Sequence, residues 1–236
     1  MDERTFLLAM DTSTPHAALA LCPAEGPPCT ASADPAERHG RALVPAVRDL
    51  LRTAGLVPGE LDGIVVGTGP GSYTGLRIGV TVAKAFAYAL GKPLATFDSL
   101  EVMARNAPPE ALCVSVISDA QRGDLYVADF RRDAPGGNLL QVSPTRVEPL
   151  ASWAAALPEG VCVLGPALAV PRIAPGIPAH AVVPPDDSAH RPDPRAVATL
   201  AREVWRTGFR VDPFFLEPLY LRRSSAEEQW DRKTQA

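Results

Sequence analysis

Leu61 to Gly67 (LDGIVVG) runs directly into Thr68-Gly69-Pro70-Gly71-Ser72-Tyr73-Thr74-Gly75, and from there into a long apolar stretch that ends at Leu90. A buried strand, a glycine-rich turn and a helix in immediate succession form the basic unit of an α/β fold. Backbone N–H groups at such a junction can converge on an anion. Gly69 and Gly71 can take backbone angles closed to other residues. Ser72 and Thr74 can cap the helix, and their hydroxyls reach as far as a phosphate. The same residues also suit a tight turn with no ligand, and Gly75-Leu76-Arg77 stands where a phosphate-binding loop needs its lysine.

The helix, read as roughly Thr74 to Leu90, is apolar around most of its circumference; only Arg77, Thr81, Lys84 and Tyr88 make a narrow polar seam. Such a helix is buried on more than one face. Gly75, Gly79, Ala83 and Ala87 form a strip of small residues at spacing four, which allows close approach of another helix. The expectation is that one face packs on this chain's own sheet. The other, with Gly75, Leu76, Gly79, Val80, Ala83 and Ala87, would lie under a second subunit together with Leu43 and Val47 of the preceding helix.

Thr5 to Met10, His16 to Cys22, Cys29 to Ala33 and Pro93 to Phe97 read as further strands of a first α/β lobe over residues 1–105. Asp34-Pro35-Ala36-Glu37 is a helix start, and Leu43, Val47, Leu50, Leu51 and Ala54 make its stripe before Gly55; Pro45 predicts a kink or a late start. Ser99 to Arg105 reads as a short helix and Asn106 to Pro109 as a linker. A smaller lobe over 106–236 then has strands at Leu112 to Ser118, Leu125 to Phe130 and Val161 to Leu164. Proline-crowded irregular chain follows from Pro166 to Pro194, then a last helix from Asp193-Pro194 to Gly208 that packs back on the first lobe with the tail. Beyond Arg222 the tail is polar and loosely held.

Charge and composition narrow the function. A net charge of −4 suits a basic partner better than direct phosphate wrapping. The longest charge-free stretch, Gly63 to Leu76, is too short to span a bilayer, and the acidic start does not read as a leader. Cys22, Cys29, Cys113 and Cys162 show no metal spacing and read as free thiols, which together with the missing leader gives a cytoplasmic expectation.

DTST at Asp11–Thr14 and GPGSYTGLRIG at Gly69–Gly79 are similar to the TsaB/YeaZ family. The likeness runs from Leu7 to about Met103. It returns at Asp119-Ala120-Gln121-Arg122-Gly123-Asp124-Leu125-Tyr126, like the family's DAR-x-x-EVY, and at Pro218-Leu219-Tyr220-Leu221-Arg222. The resemblance implies an actin/sugar-kinase/Hsp70-like (ribonuclease H-like) α/β fold with two related lobes. It implies a part in making threonylcarbamoyladenosine on tRNA, as the companion of the catalytic relative TsaD. TsaD holds a metal on two histidines four apart; Ser99 and Met103 occupy those positions here, and neither suits a divalent ion. TsaD's Gly-Gly turn is matched by Gly165-Pro166, and the second acid of its first loop by Pro15-His16. The loop residues Asp11, Thr12, Gly69, Gly71, Ser72 and Thr74 are therefore expected as a vestigial nucleotide loop, with no catalytic residue and no metal ligand.

The expectation is a scaffold that binds TsaD, helps build the surface for TsaE, and forms a homodimer without TsaD. ATP and Mg belong to the partner subunits, tRNA is met only through the complex, and no membrane is involved. A second reading is a nucleotide-binding kinase or ATPase using Asp11 and the Gly69–Thr74 loop. A third is a peptidase, although Gly71-Ser72-Tyr73 is no nucleophile elbow.

Overall fold

Phe6–Asp11 (β1) buries Leu7 and Ala9 on one side and Leu8 and Met10 on the other, so it needs cover on both faces. A computed structural model, which describes residues 5–33 and 39–222, places it at the centre of a five-stranded sheet. Ala17–Pro23 (β2) pairs antiparallel with β1, and Cys29–Ala33 (β3) antiparallel with β2. Gly63–Gly67 (β4) lies parallel to β1, and Leu94–Phe97 (β5) parallel to β4. The order is β3-β2-β1-β4-β5.

His39–Thr53 (α1) and Tyr73–Leu90 (α2) cover the face that carries Leu8, Met10, Leu19, Ile64 and Val66. Pro194–Arg206 (α5) covers the opposite face, setting Val197, Leu200 and Ala201 against Leu7, Ala9, Val65 and Ala95. α1 runs through Pro45, which is exposed, and starts before it, so the late start does not occur. The expected cap at Asp34 and its partner Glu37 lie outside the described residues.

The second sheet is built the same way. Cys113–Asp119 (β6) and Asp124–Arg131 (β7) form an antiparallel hairpin, to which Leu140–Gln141 (β8) and Arg146–Pro149 (β9) add along β7. Cys162–Leu164 (β10) pairs parallel with β6. Ser99–Ala104 (α3) packs Leu100 and Met103 on one face, and Leu150–Ala156 (α4) packs Trp153 on the other. In both sheets the first strand pairs antiparallel with the second and parallel with a later one. This is the ribonuclease H-like fold of the actin/sugar-kinase/Hsp70 type with two related lobes.

β8, β9 and α4 are elements that periodicity does not reveal. β8 is two exposed residues, and α4 is seven residues with a single buried anchor, Trp153. Pro166 to Pro194 is irregular as expected, with short 3-10 turns. The chain after α5 returns over the first lobe. Val211 N–H donates to the Leu94 carbonyl at 2.9 Å, and Lys84 Nζ donates to the Phe214 and Leu216 carbonyls at 3.2 and 3.0 Å. Among the described residues no helix is long and apolar enough to cross a membrane.

Candidate functional site

β1 ends on Asp11, and the chain turns back into β2 through Thr12-Ser13-Thr14. Asp11 is fully buried; its Oδ1 accepts the Ser13 N–H at 2.8 Å and the Ser13 hydroxyl at 2.6 Å. This is the Asx arrangement that fixes tight turns. Its Oδ2 is buried without a hydrogen-bond partner. Burial raises the pKa of this carboxyl, and the Ser13 and Ser99 hydroxyls offset only part of that rise. Thr12 is buried too, and its hydroxyl donates to the Gly75 carbonyl at 2.8 Å.

That last bond shows what the glycines of the motif do. A Cβ built on Gly71 would stand 2.4 Å from the Ser13 carbonyl oxygen, one on Gly75 2.1 Å from the Thr12 carbonyl oxygen, and one on Gly79 2.1 Å from Thr12 Oγ1. The spacing of four thus seats α2 directly on the DTST turn. Gly69, at φ 107°, donates its N–H to Ser99 Oγ at 3.1 Å and accepts the Ser99 N–H at 2.9 Å.

Sequence reasoning placed the small-residue strip under a second subunit, and the structure corrects this. Gly75, Leu76, Gly79, Val80, Ala83 and Ala87 are all buried, as are Leu43 and Val47 of α1: Val80, Ala83, Ala87, Leu43 and Val47 join the core under this chain's own sheet, Gly75 and Gly79 meet Thr12, and Leu76 lies over Gly69. The outward surface of the helix pair carries other side chains: Val44, Arg48, Thr81, Ala85 and Tyr88 are exposed, and Ile78 and Val82 half-buried.

The predicted loop is divided as well. A cleft of about 740 Å³ opens between the lobes. Gly71, Ser72 and Thr74 line it, whereas Asp11, Thr12 and Gly69 do not. Ser72 caps α2 by accepting the Gly75 N–H at 3.2 Å. Across from it stands the β6–β7 turn, where Gln121 (φ 67°) and Arg122 (φ 57°) both occupy the left-handed region without being glycine. Such residues cost about 1–2 kcal/mol each and need external support.

Two arginines outside the sequence-predicted set supply it. Arg172 donates to the Asp119 carboxylate and to Gln121 Oε1, while Arg222 Nη1 donates to the carbonyls of Ala120 at 2.8 Å and Gln121 at 3.0 Å, and to Asp124 Oδ2 at 3.0 Å. Asp119 Oδ1 accepts the Gln121 N–H at 2.7 Å. Burial raises the pKa of the Tyr126 hydroxyl beside this turn, against the pull of Arg222. The sequence singles out both Asp119–Tyr126 and Pro218–Arg222 without showing that they meet; nothing in it points to Arg172.

Ser99 and Met103, the positions of the histidine pair in the resemblance, are both fully buried. Ser99 holds Gly69, and Met103 belongs to the core of the second lobe. Among the described residues no three His, Cys, Asp or Glu side chains gather as metal ligands, and no histidine lines the cleft.

Comparison with known proteins adds family evidence to this geometry. Residues 33–153 match the family described as TsaD: tRNA N6-adenosine threonylcarbamoyltransferase. The tRNA threonylcarbamoyladenosine biosynthesis protein TsaB of Bacillus subtilis is 35% identical over 199 residues, covering 82% of this chain and 84% of that one. An uncharacterized Mycobacterium leprae protein is 34% identical over 94% of this chain, which spans 56% of that protein's length. The structure of YeaZ from Pseudomonas aeruginosa superposes with a TM-score of 0.77 at 28% identity, over 92% of this chain and all of that one.

Proposed function

Because the chain belongs to the TsaB family, we propose that it takes part in making threonylcarbamoyladenosine on tRNA, as a non-catalytic subunit that binds and activates TsaD. The observation that carries this reading is the state of the loop. Asp11 and Thr12, the groups a nucleotide site of this fold would use, are both buried: Gly75 and Gly79 close on Thr12, whose hydroxyl bonds the Gly75 carbonyl, while Asp11 Oδ1 is spent on Ser13 and its Oδ2 is sealed in beside Gly67 and Ser99. The histidine-pair positions hold a core methionine and a serine engaged with Gly69. The shell supports docking better than chemistry.

The docking face in this proposal is the outer surface of the α1–α2 pair, with Val44, Ile78, Val82 and Ala85 at its centre. TsaD covers this face in the complex, TsaE docks beside it, and a second copy of the chain covers it when TsaD is absent. tRNA and ATP are handled by the other subunits. Ala85→Glu is the direct test, since Ala85 is exposed on a helix: circular dichroism and Tm stay as in wild type while co-purification with TsaD is lost. Full-strength binding by that variant places the interface elsewhere.

The function itself is tested by reconstitution of tRNA modification with TsaD and TsaE, which should require this chain. Calorimetry with ATP and Mg²⁺ on the isolated chain decides against the kinase or ATPase alternative if no binding is seen, and for it if binding comes with turnover.

A further inference from the structure

Arg132, at the first position past β7, is only 7% exposed. Its guanidinium carries five N–H donors and a permanent charge. Among the described residues it makes one hydrogen bond, from Nη1 to the Pro109 carbonyl at 3.2 Å; its Nε is buried with no partner, and no carboxylate pairs with it. A buried cation left so poorly compensated is costly and calls for a physical reason.

Arg132 lines an open pocket of about 470 Å³ that shares no lining residue with the cleft at the GPGSYTG loop. Three segments line it: Arg105–Ala107 after α3, the Gly136–Leu139 loop before β8, and the first turn of α5. α5 presents its positive end here. Arg195, its second residue, is exposed on the cavity wall and has no side-chain partner among the described residues.

Arg105 contributes less, because Glu101 and Glu203 already hold its outer nitrogens at 3.1, 2.9 and 2.6 Å, although its Nε is also buried and unpartnered. The acid on the described cavity wall is Asp193, whose Oδ1 accepts the Arg195 N–H as the helix cap. The wall therefore carries one poorly compensated buried guanidinium, Arg132, one solvent-facing guanidinium, Arg195, and one carboxylate engaged as the helix cap. The volume exceeds that of a bare ion.

We propose that this cavity binds a small oxyanion, a phosphate or carboxylate group carried on a compact polar molecule. Arg132 is the buried anchor and Arg195 the outer contact; the amino end of α5 is already capped by Asp193, which accepts the N–H groups of Arg195 and Val197. Planar guanidinium forks match both anions. The site is independent of the docking face proposed above and of the tRNA reaction.

Calorimetric titration of the full chain tests it, with inorganic phosphate in one arm and malonate in the other, at ionic strength fixed with chloride. Saturable one-site binding in either arm is expected, and the stronger arm identifies the anion. Arg132→Met should weaken it by about tenfold or more, the scale of losing a charge-assisted hydrogen bond. Arg132→Lys keeps the charge and should retain part of the binding. Arg195→Ser, on the surface, should weaken binding severalfold without changing Tm, and it decides the matter if Arg132→Met fails to fold. Absence of saturable binding in both arms, or equal binding by wild type and Arg195→Ser, overturns the proposal.

Discussion

The two lobes turn their first hairpins in related ways and stabilise them by opposite means. In each, an Asp ends the first strand and its Oδ1 accepts the N–H two residues on: Asp11 from Ser13, Asp119 from Gln121. In each, the parallel strand that follows leads into a Gly-Pro with the glycine at large positive φ, 107° at Gly69 and 117° at Gly165. After Gly69-Pro70 comes the long α2, which drives its glycines onto Thr12 of the DTST turn. After Gly165-Pro166 comes only a four-residue 3-10 turn, Pro166–Ala169. Among the described residues no helix covers the second turn; it lines the cleft and is held in a strained form by Arg172 and Arg222. The same hairpin is a packed joint where a long helix follows and an exposed, charge-braced loop where none does.

The largest effect should come from breaking the packed joint. Gly79→Leu drives a side chain into Thr12, which is fully buried and has no room to move. The loss should be about 3 kcal/mol or more, enough to leave the chain unfolded or nearly so. Urea unfolding measures it, and a small change would mean that α2 can slide along the turn.

The seam between the lobes should respond to pH. Asp98 caps α3 by accepting the Leu100 N–H at 2.7 Å, and its Oδ2 accepts the Thr145 hydroxyl of the second lobe at 2.6 Å. Burial pushes its pKa up to about 6, against those two bonds. The folded state then holds the proton more tightly than the unfolded one. Stability is greatest below about pH 4 as far as this group is concerned, and it falls as pH rises through about 6; Asp11, also raised, acts with the same sign. The fall should total about 3 kcal/mol, and Asp98→Asn should flatten it. Unfolding curves between pH 4 and pH 7 give the slope, and an equal slope in the variant would remove Asp98 from the account.

The braced turn should yield less. Arg222→Ala deletes three hydrogen bonds to the Ala120–Asp124 segment, at a cost of about 1–2 kcal/mol, because the arginine is partly solvated. Gln121→Gly in the same background should recover part of that by removing the left-handed strain. A double-mutant cycle by thermal unfolding shows whether brace and strain are coupled.

The strands and long helices were legible because their cause is local: a short continuous apolar run in β1, a stripe in α1, a capped start at Asp193 for α5. So was the joining of Gly69, Gly71, Ser72 and Thr74 in one turn. The inward face of α2 was not legible. Its circumference is apolar nearly throughout, and what selects the glycine side is contact with Thr12 and Ser13, some sixty residues earlier in the chain. The arginine brace was hidden for the same reason, since Arg172 and Arg222 are 53 and 98 residues from the Asp119 and Asp124 they hold. The glycine strip, expected to meet a second subunit, is thus the side of α2 that this chain covers itself.

The smallest effect on folding should come from the outer side, which gives the sharpest separation of docking from stability. Val44 is 51% exposed on α1, at the edge of the stripe that Leu43 and Val47 bury. Val44→Ser should change stability by no more than about 0.5 kcal/mol, because the side chain leaves little surface buried to begin with. If TsaD covers the outer face of α1 and α2, the same variant should weaken co-purification while its unfolding curve overlays that of wild type. If binding is unchanged while Ala85→Glu abolishes it, docking is confined to α2. If both variants bind normally, the outer helical face is ordinary solvated surface and the partner sits elsewhere on the lobe.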